Sequence, residues 1–342
     1  MSADSITAAD PSTPPPPTEA HFDPAQKAWV LSRHQDVWAA LREPHLWAVS
    51  GKREIQPDTR DEGGRLLQRA AMLESLSATF LEAWRPRLEA ETYTALRSLP
   101  TGQPVDLLAD FALPWGLTLG MMVTRTDPSG AGRLADLGRR VFAATGEGAG
   151  AGLRADAAAA TAELERILES GPIPMGEPAF VALSQTLPRL LASAWLALVR
   201  SPSEFARLRS DPHLLPGAID ELLRYAGIVR RVFRRATANV DLGGVKIAAG
   251  DLVVLMLASA NRDPEQFPDP DRLDVARAGT SHLALGTGRN SCVGAALIRM
   301  AASVATGVLT TTFSGVQFSS VSEWRLGSGF CFPASVYVIL QE

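Results

Sequence analysis

The sequence predicts a mainly helical protein with a smaller β portion. Three observations carry this. Apolar residues recur at helical spacing over residues 65–96, 153–170 and 180–200. Residues 240–247 read as a hairpin around Gly243-Gly244. Residues 318–340 alternate in the β manner around Gly327-Ser328-Gly329. Of the 342 residues, 46% are apolar and 20% charged, which excludes a wholly disordered chain. The net charge of −4 argues against a nucleic-acid or anionic-membrane partner. Two cysteines, Cys292 and Cys331, do not make a disulfide framework and fit a reducing cytoplasm. No uninterrupted apolar run reaches a membrane span of about 18 residues.

The elements follow in order. Residues 1–20 are polar, hold Pro14-Pro15-Pro16-Pro17, and are expected to be a disordered tail. They lack the apolar stretch of a secretory signal. Ala28-Trp29-Val30-Leu31 suits a strand. Residues 34–42 form a helix with Val37, Ala40 and Leu41 on one side. The helical pattern of 65–96 breaks at Arg85-Pro86. Pro104-Val105-Asp106 opens a helix through Phe111 and Leu117, kinked at Pro114. Residues 134–144 are helical, 146–152 are a glycine-rich loop, and 153–170 are alanine-rich with high helix propensity. Residues 180–200 form one long helix that Pro188 kinks. Residues 204–210 and 217–225 are two more helices. Residues 251–259 begin as a buried strand or helix, 261–288 are irregular, and 293–310 form the last helix.

The most informative segment is Gly286-Thr287-Gly288-Arg289-Asn290-Ser291-Cys292-Val293-Gly294. Its glycines permit tight turning beside the sulfur. The N–H groups and the dipole of the following helix favour a thiolate, which is a strong axial ligand for iron. A lone cysteine at a helix start is more often a buried packing residue. The remaining segments decide otherwise. Glu221-Leu222-Leu223-Arg224 places an acid and a base on one helix face. Ser259-Ala260-Asn261-Arg262-Asp263-Pro264 and Phe267-Pro268-Asp269-Pro270-Asp271-Arg272 follow.

In this order and spacing, the segments resemble the cytochrome P450 family, as a shortened and atypical bacterial member. The resemblance implies a cytochrome P450-like fold, with one heme domain over 21–342 and shortened N-terminal and lid regions. It implies heme b as cofactor, with Cys292 as the iron ligand. Glu221, Arg224 and Arg272 match the family's structural Glu-Arg-Arg cluster. Arg65 and Arg69, four residues apart on one helix face, and Arg234 on a strand match the arginines that hold the heme propionates. Gly286 and Asn290 belong to the same cofactor loop. By the family's geometry, the substrate pocket includes Leu183, Val232, Phe233 and Phe330, with the rest of loop 328–332.

Several positions depart from the family pattern. The oxygen-activation motif falls on Ala182-Leu183-Ser184-Gln185-Thr186. Its threonine is kept, its acid is Gln185, and its glycine is Leu183. Gln185 hydrogen-bonds but does not titrate. Leu285 replaces an aromatic residue. Asn290 replaces a His or Arg, so one propionate either has no partner from this loop or is held by Arg289. Short stretches before Arg65 and between 146 and 180 predict a more open pocket, or one completed by a partner or subunit.

Three readings follow. The favoured one is a monooxygenase of a small or mid-sized, partly apolar metabolite in natural-product biosynthesis. Ferredoxin and ferredoxin reductase supply its electrons, and Thr186 with Gln185 serves proton transfer. The second is a heme-thiolate enzyme of non-standard reaction, using peroxide or catalysing rearrangement, dehydration or coupling. The third is a non-catalytic recruitment module that kept the fold.

Overall fold

The computed structural model describes residues 13–49, 62–146, 149–169, 176–279, 281–321, 323–327 and 329–342. Most of the expected tail therefore lies outside the described residues. Its end does not hang free: the Thr18 N–H donates to Ser32 Oγ at 2.8 Å, and Ala20 packs on the core.

The chain opens with β1 (His21–Asp23), β2 (Ala28–Leu31), α1 (His34–Arg42) and β3 (Leu46–Val49). Then come α2 (Glu62–Ser75) and α3 (Ala78–Arg97). The break between these helices is at Leu76-Ser77, where Ser77 is extended, and not at Pro86, which lies inside α3. β4 (Pro104–Asp106) is a strand where a helix start was expected. Proline is tolerated there because β4 is an edge strand. Asp106 accepts from the N–H groups of Leu108 and Val336, both at 3.0 Å, and so ends the strand and starts the helical run. One π-helical turn over Leu107–Ala112 leads into α4 (Leu113–Thr124).

Two helices, α5 (Ala131–Ala143) and α6 (Ala151–Leu168), pack against each other around Leu134, Leu137, Ala160 and Leu164. The expected single long helix is divided into α7 (Gly176–Val181), a π turn at Ala182–Thr186, and α8 (Leu187–Val199). The Leu187 N–H donates five residues back, to the carbonyl of Ala182. This widened turn accommodates Pro188, which has no N–H and whose ring would clash with the preceding turn. Pro188 also rests against α4 at Gly116. A Cβ there would lie 2.3 Å from Pro188 Cγ and 2.7 Å from the carbonyl oxygen of Leu183.

The remainder is α9 (Pro202–Ser210), α10 (Leu215–Ala226), β5 (Val232–Ala236), β6 (Val240–Leu242), β7 (Val245–Ile247), β8 (Leu252–Leu255), α11 (Leu257–Ala260), α12 (Ala295–Thr312), β9 (Gly315–Val321), β10 (Trp324–Leu326), β11 (Cys331–Pro333) and β12 (Val336–Gln341). The β6–β7 turn is made by Gly243 and Gly244, both with positive φ.

Five strands form the larger sheet, in the order β1-β2-β8-β5-β3, with β2 and β8 parallel. A second sheet runs β4-β12-β9. The helical core centres on α8. Trp195 is fully buried, stacks on Phe111 at 5.2 Å, and donates to Thr306 Oγ1 on α12 at 3.0 Å. Residues 107–124 and 295–312 are long and apolar enough to cross a membrane by length and composition, and each has half or more of its span buried in this core.

Candidate functional site

The segment after Leu283 is pinned from both sides. Its N–H donates to Asn261 Oδ1 at 2.7 Å, and the Asn261 carbonyl accepts from Arg224 Nη1 at 2.8 Å. Gly286 and Gly288 both have positive φ, near +70°. A Cβ on Gly288 would meet the Leu41 carbonyl oxygen of α1 at 2.8 Å, so the loop passes close under that helix. The Cys292 N–H closes the loop on the carbonyl of Leu285 at 2.8 Å, and α12 starts three residues later.

Cys292 faces a cavity of about 260 Å³, far larger than the roughly 30 Å³ share of one water molecule. Leu285, Gly286 and Asn290 line it from the loop. Ala182, Thr186, Leu187 and Leu190 line it from the π turn and α8. Ile228, Val229, Val232 and Arg234 close it on the sheet side. Burial pushes the Cys292 thiol up, against the Gly294 N–H and the charges of Arg69 and Arg299, which pull it down. A cation bound at the sulfur would reverse that balance.

Two arginines approach from other elements. Arg69 on α2 donates through Nη2 to Ser291 Oγ, beside Cys292, at 2.8 Å. Arg234 on β5 is 5% exposed, and its Nη1 donates to the Phe233 carbonyl. Its Nε is buried with no partner. Burial, with the nearby charge of Arg289, lowers its pKa to about 10. A buried guanidinium in this state calls for an anion. Arg289 turns away to donate to the Pro44 carbonyl at 2.8 Å. Arg65 lies on α2, and its side chain is outside the described residues.

Behind the loop is a buried ionic cluster. Glu221 Oε2 accepts from Arg224 Nε at 2.6 Å, and Oε1 accepts from Arg224 Nη2 at 2.8 Å. Oε1 also accepts from the Asp274 N–H at 3.0 Å and from Arg277 Nε at 3.1 Å. The third arginine is thus Arg277, and the expectation of Arg272 is corrected. The Arg272 side chain is 63% exposed and 3.9 Å from Asp274; its carbonyl alone takes part, accepting from Arg224 and Arg277. Past Asp271 the chain buries Leu273 and Val275 and turns over Asp274–Arg277, where the Arg277 N–H donates to the Asp274 carbonyl at 2.9 Å. That turn brings Arg277 back to Glu221.

Three further pocket assignments are corrected. Leu183 is in the helical core, with its carbonyl against α4, and does not line the cavity. Ala182 and Thr186, four residues apart, are the cavity face of that turn. Phe233 alternates with the lining residues Val232 and Arg234, so it points to the other face of β5. The Phe330 ring packs on Phe142 of α5 at 6.0 Å, outside the lining. Gln185 is buried beside α5 and accepts from Arg189 Nη1 at 3.2 Å through Oε1.

The fold and this loop have known counterparts. Residues 206–323 match the family model for cytochrome P450. Cytochrome P450 107B1 of Saccharopolyspora erythraea is 30% identical over 87% of this chain and 85% of its own length. The chain belongs to the cytochrome P450 family. Nocardicin C N-oxygenase of Nocardia uniformis is 31% identical over 92% of this chain and 89% of its own. The LnmA cytochrome P450 hydroxylase from the leinamycin biosynthetic pathway of Streptomyces atroolivaceus superposes with a TM-score of 0.76 at 27% identity, covering 91% of this chain and 90% of its own. This P450 is a heme-thiolate monooxygenase of the bacterial kind, with heme b as cofactor and small molecules as substrates. The partnerless Nε of Arg234, the cavity and the sulfur at its wall fit such a group.

Proposed function

We propose that this P450 oxygenates a mid-sized, partly apolar intermediate of natural-product biosynthesis, with electrons from a ferredoxin and its reductase. The observation that carries this reading is one cavity bounded by the Cys292 sulfur on one wall and the apolar face Ala182, Thr186 and Leu190 on the other. Its lining is mainly apolar, which suits an apolar guest. Relatives named for nocardicin C oxygenation and leinamycin biosynthesis support the substrate class. A cytoplasmic setting goes with it, since the long apolar helices serve the core.

Each residue has a role in this reading. Cys292 would bind the iron, and Asn290 and Gly286, which line the same cavity, would sit beside the cofactor. Arg234 and Arg69, with Arg65 on the same helix as Arg69, would hold the propionates, and a charge-assisted bond to the buried Arg234 guanidinium is strong. Glu221, Arg224 and Arg277 hold the loop from behind. The heme, when bound, activates dioxygen for insertion into the substrate. Thr186 Oγ1 faces the cavity and both donates and accepts hydrogen bonds, so it can hold a proton-carrying water there. Gln185 does not take part, because its Oε1 is engaged by Arg189 and its amide does not titrate. The non-standard reading rested partly on Leu183 filling the oxygen site, and Leu183 is elsewhere.

The test is the spectrum of the reduced, carbon-monoxide-bound protein. A red-shifted thiolate-type Soret band is expected, and Cys292→Ser should remove it. Turnover should require ferredoxin, reductase and NAD(P)H. Activity with peroxide alone, and none with the electron-transfer partners, would instead support the non-standard reading.

A further inference from the structure

Burial lowers two guanidinium groups to about 10, those of Arg234 and Arg189. Neither bonds a carboxylate among the described residues. Desolvating a guanidinium without a counter-charge is unfavourable, so such a group marks the place of an absent anion. For Arg234 that anion is a cofactor propionate. Arg189 has no such explanation.

Arg189 lies on α8, between the cavity-lining residues Thr186 and Leu190. Its Nη1 donates to the carbonyl of Gln185 at 2.6 Å and to Oε1 of the same residue at 3.2 Å. Its plane is held over the ring of Phe142 at 4.2 Å and near that of Phe332 at 5.3 Å. The rings fix the guanidinium in place but carry no net charge. Its Nε and Nη2 donate to no described residue and are not among the sealed buried atoms. They are an unused fork in reach of solvent, with the geometry to take a carboxylate.

This slot shares walls with the cavity. Phe330 bridges to Val229, and the Cys331 N–H donates to the carbonyl of Ile228 at 2.9 Å. Ile228 and Val229 line the cavity, and Phe332 follows Cys331 directly. The Arg189 fork and the cavity are thus neighbours across one wall, and the proposal requires one molecule to reach from α8 to the space between Thr186 and Cys292.

We propose that Arg189 is a substrate-recognition residue, binding the carboxylate of an otherwise apolar substrate. This rests on the monooxygenase reading above and names the substrate's chemical class. The ferric holoenzyme is titrated with dodecanoate and with methyl dodecanoate, and the high-spin shift of the Soret band is followed. Wild type is expected to bind the acid tighter than the ester by about tenfold or more, the effect of one charge-assisted hydrogen bond. Arg189→Gln should abolish that preference and leave ester binding unchanged. Arg189→Lys should keep part of it. No binding of the acid, equal binding of acid and ester to wild type, or equal losses for both in Arg189→Gln would overturn the proposal. The reduced carbon-monoxide spectrum of each protein is read separately. A wild type without the thiolate band overturns the parent reading. If Arg189→Gln alone lacks it, the wild-type preference and Arg189→Lys decide.

Discussion

The two walls of the Cys292 cavity are built differently. Behind Cys292, charge is buried and fully paired. Glu221 is 0% exposed and meets Arg224, Arg277 and the Asp274 N–H, while the arginines also take the carbonyls of Asn261, Pro268, Asp269, Pro270 and Arg272. Opposite, α8 presents apolar side chains after an irregular turn, and its half-buried cation, Arg189, has no carboxylate among the described residues. The α5–α6 pair beyond it is joined at its surface by Arg133–Glu163 and Arg140–Asp156, partly exposed pairs that contribute little. The comparison separates a wall that holds one geometry from a wall that receives a guest. In the first, removing any partner strands a buried charge. In the second, a missing partner is what the guest supplies.

The largest effect is expected in the first wall. Glu221→Ala should cost about 3–5 kcal/mol by stranding buried guanidinium groups. Denaturant unfolding and heme content measure it. Arg277→Ala should be severe and Arg272→Ala nearly silent, within about 1 kcal/mol for an exposed group. The reverse ranking would restore Arg272 to the cluster.

The second wall responds through catalysis. Thr186→Ala should lower coupled turnover by about 10²-fold, the scale of a lost proton-transfer group. Oxygen uptake that continues without product would show it. Gln185→Glu should not raise turnover, because the new carboxylate pairs with Arg189 four residues on and faces away from the cavity; by neutralising Arg189 it should also weaken the preference for an acidic substrate. A rise in rate would place the side chain in the proton path.

At the contact of α4 with the turn, Gly116→Ala should destabilise by about 1–3 kcal/mol through overpacking against Pro188 and the Leu183 carbonyl. The midpoint of thermal unfolding reads it. The smallest effect is at Asp220, near the first wall. Burial raises its pKa, but bonds from His282 and Arg299 prevail and hold it below the usual carboxylate range. A carboxyl depressed on folding stabilises above its unfolded pKa, and that stabilisation is lost as pH falls through the folded value. Asp220→Asn should therefore flatten the acid limb of the stability–pH curve, and leave its shape above neutrality.

Much of the first wall was legible because its residues are near in sequence or carry special backbone demands. Glu221 and Arg224 share a helix face at a spacing of three. Gly286, Gly288 and Cys292 occupy one short loop whose turns need glycine. Val232 and Arg234 line the cavity and Phe233 does not, a difference that strand alternation alone makes. Arg277 was not legible, because a turn over Asp274–Arg277 and not a regular period returns it to Glu221.

What the sequence by itself determined is the class of fold and the tight course of the Gly286–Cys292 loop, since both follow from local periodicity and from glycine, proline and cysteine at set intervals. What tertiary structure decided is which side chain of a helix or strand faces the cavity. A π turn before Pro188 rotates Ala182 and Thr186 inward and Leu183 into the core, and that rotation depends on α4 approaching closely at Gly116. The pairing of charges was decided there too. Arg189 and Arg224 are both arginines on helices, and only the packing around them shows that one is neutralised and the other waits for an anion.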